Sequence, residues 1–311
     1  MTKVIDFLLT LYENTYRANF SSLSNNWIAK NTYNAVATVT RWILRRMIKF
    51  MSVPNIRLQE GSGIVVSVSS FPKRFLRLRY MLISVLRQRI KPELIVVNLT
   101  QEECPNGLAD VPDYLRELER YGIEYRIRSV NLRPHNKYYY VMQEYPQKNI
   151  ITLDDDIFYR CNVLERLVEI KKHNPGCVCA NQVRYIKINS LGDFVGYNQW
   201  ALFNNASVGH HLLALGVGGV LYPAGLLREG DIMCVEGILH LCLNADDLWL
   251  KAHEIIQGVK VATGDFTAPN LTLNYGKSET LSNDNVIGGR NNQLWLALDN
   301  EYSLKSRIIH N

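Results

Sequence analysis

The chain alternates short β-branched apolar runs with longer stretches of helical periodicity. Residues 64–68 (Ile-Val-Val-Ser-Val), 94–99 and 149–153 read as buried strands, and 123–129 alternates like a half-buried one. Residues 74–89, 112–121 and 138–145 read as the helices between them, with Pro112 opening the second and Gly122 just past its end. Further on, 163–172 reads as a helix, and 177–181 and 184–188 as strands followed by a hairpin turn at Ser190-Leu191-Gly192-Asp193. Residues 245–257 read as a helix stopped by Gly258, then 259–262 as a strand, while 263–311, rich in Asn, Gly and Thr, reads as loop. Strand and helix in regular succession predict parallel β units covered by helices. Ligands on such sheets bind beyond the carboxyl ends of the strands, and Asp154-Asp155-Asp156 stands at one of those ends.

Residues 36–50 carry a different pattern. Val36, Val39, Ile43, Met47 and Phe50 recur at helical spacing on one side, with Arg41, Arg45 and Lys49 opposite and Trp42 near the edge. Two readings follow: an in-plane helix at an anionic membrane surface, or a helix packed on the domain with a solvated basic face. Charge adds to this. The net charge is +6, and residues 1–57 hold eight Lys/Arg against two acids, so the rest of the chain is neutral and no nucleic-acid-binding surface is expected.

Composition sets the remaining bounds. At 311 residues, 47% hydrophobic and 21% charged, the chain is expected to bury a sizeable core. The longest uncharged stretch, 194–227, contains His210, His211 and Pro223 and no apolar run of about 18 residues, so no transmembrane helix is expected. The start carries Asp6 and lacks the apolar stretch of a secretory leader. Of six cysteines only Cys177 and Cys179 are close, with no second pair to complete a zinc site. Reduced thiols and a cytoplasmic location follow as expectations, peripheral at the inner face of the membrane if 36–50 is interfacial.

Two acidic groups carry candidate chemistry. Asp154 and Asp156, two apart at a strand end, point to the same side. Such crowding makes sense where a cation compensates it, and hard oxygen donors suit Mg²⁺ or Mn²⁺; the alternative is a capped turn in which Asp156 opens the next helix. Asp246 and Asp247 open the helix at 245–257, where one acid serves as a cap. The alternative is a general base at a helix N-terminus, kept ionised by the dipole. Arg133, His135 and Lys137 form a basic loop, either solvated or a phosphate clamp in which Lys137 is the preferred residue. The glycines at 216–219 lack dinucleotide-loop spacing; they let backbone approach a ligand or pack under another strand.

In order, Ser69-Ser70-Phe71-Pro72-Lys73-Arg74, then Lys137 ahead of a strand ending in Asp154-Asp155-Asp156, then Gly218-Gly219-Val220-Leu221-Tyr222-Pro223 and Ala245-Asp246-Asp247-Leu248-Trp249-Leu250-Lys251 resemble nucleotide-sugar-dependent glycosyltransferases of the GT-A fold. The likeness is to family-2-like bacterial enzymes of capsule or lipopolysaccharide assembly, and covers residues 62–265. It implies an α/β, Rossmann-like, mostly parallel sheet flanked by helices. Residues 58–265 are then the catalytic domain, 1–57 a basic helical segment and 266–311 a loop-rich extension of the same domain. The resemblance assigns Asp154 and Asp156 to Mn²⁺ or Mg²⁺, Asp155 to the ribose or sugar, and Ser69, Phe71, Arg74, Lys137, Gly218 and Gly219 to the nucleotide-sugar donor, a UDP-sugar. Asp247, with Asp246 second, takes the proton of an acceptor hydroxyl on a glycan or lipid-linked glycan, with inversion. Segment 283–296 resembles one carrying an Asn-Asp pair, here Asn291-Asn292. The competing expectations are a nucleotidyltransferase, whose Gly-rich basic loop the run Ser69-Ser70-Phe71-Pro72 does not provide, and a non-catalytic glycan-binding protein on a transferase frame.

Overall fold

The computed structural model describes residues 2–20, 27–54, 56, 58–203, 205–227, 230–265, 271–273 and 289–310. In chain order the helices are α1 (Thr2–Phe20), α2 (Trp27–Ile48), α3 (Phe75–Leu86), α4 (Asp113–Arg116), α5 (Asn136–Glu144), α6 (Val163–His173), α7 (Val235–Gly237), α8 (Asp246–Ile256), α9 (Arg290–Tyr302) and α10 (Leu304–His310). The strands are β1 (Ile64–Ser69), β2 (Leu94–Thr100), β3 (Ile123–Arg128), β4 (Asn149–Thr152), β5 (Ile157–Phe158), β6 (Val178–Ala180) and β7 (Val183–Tyr185). After these come β8 (Leu202–Phe203), β9 (Ser207–Gly209), β10 (Leu212–Ala214), β11 (Val220–Tyr222), β12 (Val261–Thr263) and β13 (Leu271–Thr272).

Eight strands form the main sheet in the order β3-β2-β1-β4-β11-β6-β12-β9. The first four are mutually parallel, as are β6 and β12; β11 runs antiparallel between β4 and β6, and β9 antiparallel on the far edge. The β-branched runs of β1 and β2 are buried on both faces because helices cover both, which is why they show no polar alternation. Val66, Val68, Ile95 and Val97 pack with Leu78, Met81 and Leu82 of α3 on one side, while Val65 and Val96 meet Val141 of α5 on the other. A three-stranded sheet β10-β7-β8 stands beside this one, and β5 pairs with β13. The expected mostly parallel sheet flanked by helices is therefore what the chain forms.

Three expectations are corrected. Residues 112–121 are not one helix: α4 is a single turn, followed by a 3-10 turn at Glu119–Tyr121, since Leu115, Leu118 and Tyr121 must all reach the core. The loop reading of 263–311 gives way to α9 and α10, whose Trp295, Leu298 and Leu304 are buried in the cluster that holds Trp249. Most of 266–288, including the start of the 283–296 segment, lies outside the described residues. On α2, the buried stripe is Thr40, Leu44 and Ile48, so Val39 and Phe50 of the expected apolar face point outward.

Candidate active site

The carboxyl ends of the parallel strands gather the chemistry. β4 pairs with β1, and its run ends in Leu153, whose N–H donates to the Ser67 carbonyl, before the chain turns through Asp154, Asp155 and Asp156. The next element is β5, not a helix, so the acidic triplet does not serve as a cap. The Tyr159 hydroxyl accepts from the Asp154 N–H at 2.8 Å and fixes the turn from inside.

Each of the three carboxylates has a separate environment. Asp155 is buried; its oxygens accept from Ser70 Oγ at 2.6 Å and from the Arg74 guanidinium at 2.7 Å. Burial raises its pKa, and Arg74 and Ser70 pull it back down. Arg74 also lies 3.7 Å from Asp156 and stacks 5.2 Å from the centroid of the Phe71 ring. Burial, with the charges of Asp155 and Asp154, pushes the Asp156 carboxyl up to about 6. Asp154 is partly exposed, and its Oδ1 lies 3.0 Å from Lys137 Nζ.

Lys137, on the first turn of α5, joins this group to the second. Its Nζ lies 2.9 Å from Asp246 Oδ2 as well. Burial alone would lower the ammonium; Asp154, Asp246 and Asp247 outweigh burial and hold it well above the usual lysine range. Asp246 and Asp247 open α8, yet Ala245 is the residue at its cap and makes no side-chain cap bond. Both aspartates are committed elsewhere: Asp246 to Lys137, and Asp247 to the Gly216 N–H, which donates to both of its oxygens at 3.2 Å. The expectation that the helix dipole keeps Asp247 ionised is corrected. Burial and the adjacent Asp246 charge push it up to about 8, against the opposing pull of Lys137 and Gly216.

Two clusters ninety residues apart in sequence thus converge on one ammonium group. A Cβ built on Gly216 would fall 2.7 Å from Lys137 Nζ, 3.2 Å from Asp247 Oδ1 and 3.5 Å from Asp154 Oδ1, so only glycine leaves that space open.

The remaining expected residues are placed as follows. Ser69 ends β1, while its neighbour Ser70 makes the bond to Asp155. Gly218 and Gly219 face the packing rather than the carboxylates: a Cβ on them would strike Gln182 and Leu153 respectively, and Gly219 has φ of 83°. His135 is not part of a phosphate clamp. Its Nε2–H donates to the Cys242 carbonyl and its Nδ1 accepts from the Tyr138 hydroxyl, both at 2.9 Å, and burial pushes its pKa down to about 4. Arg133 is exposed. Tyr159 had no sequence signal, and Ser70 and Gly216, though they stand in runs the sequence marks out, gave none of their contacts, because each acts through a partner distant in the chain.

The donor set consists of oxygens only. Among the described residues no three His, Cys, Asp or Glu are grouped as a ready cage for a metal. Magnesium-type ions, however, are held by one or two carboxylates and complete their shell with water and substrate phosphate. Asp154 and Asp156, flanking a buried Asp155, fit that mode. All six cysteines are free, and no described helix is long and apolar enough to cross a membrane.

No family model matches the chain, and no curated protein matches it. Among solved structures it is similar to S. aureus TarS residues 1–349 in complex with UDP-GlcNAc, at 13% identity over 70% of this chain and 60% of that one, with a TM-score of 0.45. It is also similar to a 4-diphosphocytidyl-2C-methyl-D-erythritol synthase, at 14% identity over 71% and 95%, with a TM-score of 0.42. A UTP-bound UGPase from Acinetobacter baumannii gives 11% identity over 70% and 88%, with a TM-score of 0.39. The chain spans about three-fifths of the TarS structure. Likenesses this distant leave the reaction to be read from the chain's own geometry.

Proposed function

We propose that this protein is a glycosyltransferase moving a sugar from a nucleotide-diphosphate donor to a hydroxyl of a glycan or lipid-linked glycan. The observation that carries the reading is the convergence of Asp154 and Asp246–Asp247 on Lys137 at the carboxyl edge of the sheet. One acidic group suits a donor diphosphate and its counter-ion, and the other suits an incoming alcohol. Asp154 and Asp156 would hold a divalent cation, Mn²⁺ or Mg²⁺, which when bound lowers the charge on the diphosphate.

In this reading Arg74, stacked on Phe71 and tied to Asp155, shapes the nucleotide end of the site. Asp247 removes the proton of the acceptor hydroxyl. The freed oxygen pair forms the bond to the anomeric carbon from the face opposite the diphosphate. The bond from that carbon to the diphosphate oxygen breaks, its electron pair leaves on the nucleotide, and the configuration inverts. Lys137 meets the charge that develops on the leaving oxygen. A base on α8 has a role in this transfer and none in joining a nucleotide to a sugar phosphate, which favours it over nucleotidyl transfer.

The test is a thermal shift with UDP-, GDP-, CMP- and dTDP-sugars, with and without Mn²⁺, followed by transfer assays. A donor at about a hundred times its Kd should add about 2.7 kcal/mol of stability. Asp154→Ala should keep the fold and lose the Mn²⁺-dependent part of the shift. If no sugar nucleotide stabilises the wild type, or if pyrophosphate is released from a nucleoside triphosphate and a sugar phosphate, the reading is wrong.

A further inference from the structure

The basic segment pairs its acids with the body of the molecule and leaves several cations exposed. Residues 1–57 contain two acids, Asp6 and Glu13. Asp6 pairs with Arg87 at 3.1 Å and Glu13 with Arg160, both inward against the body of the molecule. Arg45 also turns in, donating to the Thr272 carbonyl at 2.9 Å. On the outside, Lys3, Lys30, Arg46 and Lys49 are exposed.

The same outward side, beside Asn31 and Thr32, carries large apolar side chains where a helix on a water-facing surface would be polar. Ile28 is 67% exposed, Val39 56%, Trp42 59% and, just past the end of α2, Phe50 78%. At about 100° per residue these four, with Arg46 and Lys49, fall within an arc of about 100°. That arc lies opposite the buried Thr40, Leu44 and Ile48. The Arg46 guanidinium stacks over the Trp42 ring, 4.8 Å from its centroid. α2 therefore has two apolar stripes, one for the protein and one left outside among cations.

We propose that this outer stripe of α2 is a docking surface for an anionic bilayer, with Trp42 and Phe50 entering the headgroup region and Arg46 and Lys49 facing anionic lipid. The chemistry is complementary: an amphipathic helix with Trp and Phe on its apolar stripe and Lys/Arg around it lies in the interface plane. Each cation near the surface strengthens partitioning by about fivefold. A second copy is a poorer occupant, because a face that meets itself would bring like charges together. This inference stands independently of the reaction proposed above.

Flotation of the full-length protein with phosphatidylcholine vesicles, with and without phosphatidylglycerol as a third of the lipid, tests it. Binding to the anionic vesicles alone is expected, weakening as salt rises. The Trp42→Ser/Phe50→Ser variant should bind at least about tenfold less with an unchanged Tm, since two large apolar side chains leave the interface. Arg46→Gln/Lys49→Gln should lose several-fold, and Leu191→Ser, an exposed apolar residue elsewhere, should lose nothing. Equal binding to neutral and anionic vesicles, no binding at all, or binding unaffected by the Trp42/Phe50 change would overturn the proposal. So would concentration-dependent self-association abolished by that change, which would give the surface to a second copy.

Discussion

A carboxylate pushed to about 8 is half ionised at that pH, about a tenth ionised at pH 7, and more basic than an ordinary carboxylate toward the proton of an alcohol. Two predictions belong to this residue and its neighbour. First, kcat/KM should climb roughly tenfold per pH unit below 8 and level off above it; a flat profile from pH 6 to 9 would remove Asp247 from the proton transfer. The stability effect has the opposite sign. The folded chain holds the Asp247 proton up to about pH 8 whereas the unfolded chain releases it near 3.8, so this group opposes folding increasingly as pH rises through that window. Asp247→Asn, which keeps an acceptor for the Gly216 N–H and carries no charge, should therefore lose transfer by about a thousandfold. At pH 8 it should melt about 1–2 °C higher, the shift that about 1 kcal/mol gives in a chain of this size. Second, Gly216→Ala pushes a methyl against Lys137 Nζ at 2.7 Å. The ammonium can swing aside, so the fold should survive with a small change in Tm, while kcat/KM falls by about tenfold or more as Lys137 leaves the carboxylates.

α8 carries a separate liability on its other face. Lys251 and Glu254 are fully buried and pair at 3.1 Å, burial lowering the lysine and raising the glutamic acid. Glu254→Ala should cost about 3–5 kcal/mol by leaving the ammonium unpaired, whereas Lys251→Met/Glu254→Leu should be close to neutral; chemical denaturation of the two variants compares them directly. Elements of this kind also show what the sequence discloses. β1, β2, β4, α3 and α6 were legible because each keeps one period along its whole length. β11 was not, being three residues behind a run of glycines, and α9 was hidden by Asn and Gln around the two anchors Trp295 and Leu298. At the site, the acidic groups and Lys137 announced themselves by charge crowding in short spans. Tyr159 could not, and the runs holding Ser70 and Gly216 stood out without disclosing their contacts, because those partners arrive from strands and turns far along the chain; the side of α2 that packs was decided by what α1 and α3 present to it.

At the scale of the molecule, the N-terminal helices are built into the body. Ile5, Leu9, Leu44 and Ile48 share a cluster with Tyr80, Ile83, Phe158 and Leu271. A chain beginning at residue 58 would bare those four surfaces to water and should aggregate or elute as large species in size-exclusion chromatography; a monodisperse, folded truncation would refute this. The reversed strand β11 has an effect of its own. Val220 lies beside Thr152 at the acidic edge, and Tyr222 beside Ile150 at the opposite rim. The turn at Pro223, Ala224 and Gly225 is thereby carried to the opposite end of the strands from the chemistry. It offers a handle: a fluorophore or tether fixed at the exposed Ala224 leaves the working mouth unobstructed, and the protein can be anchored or watched from behind.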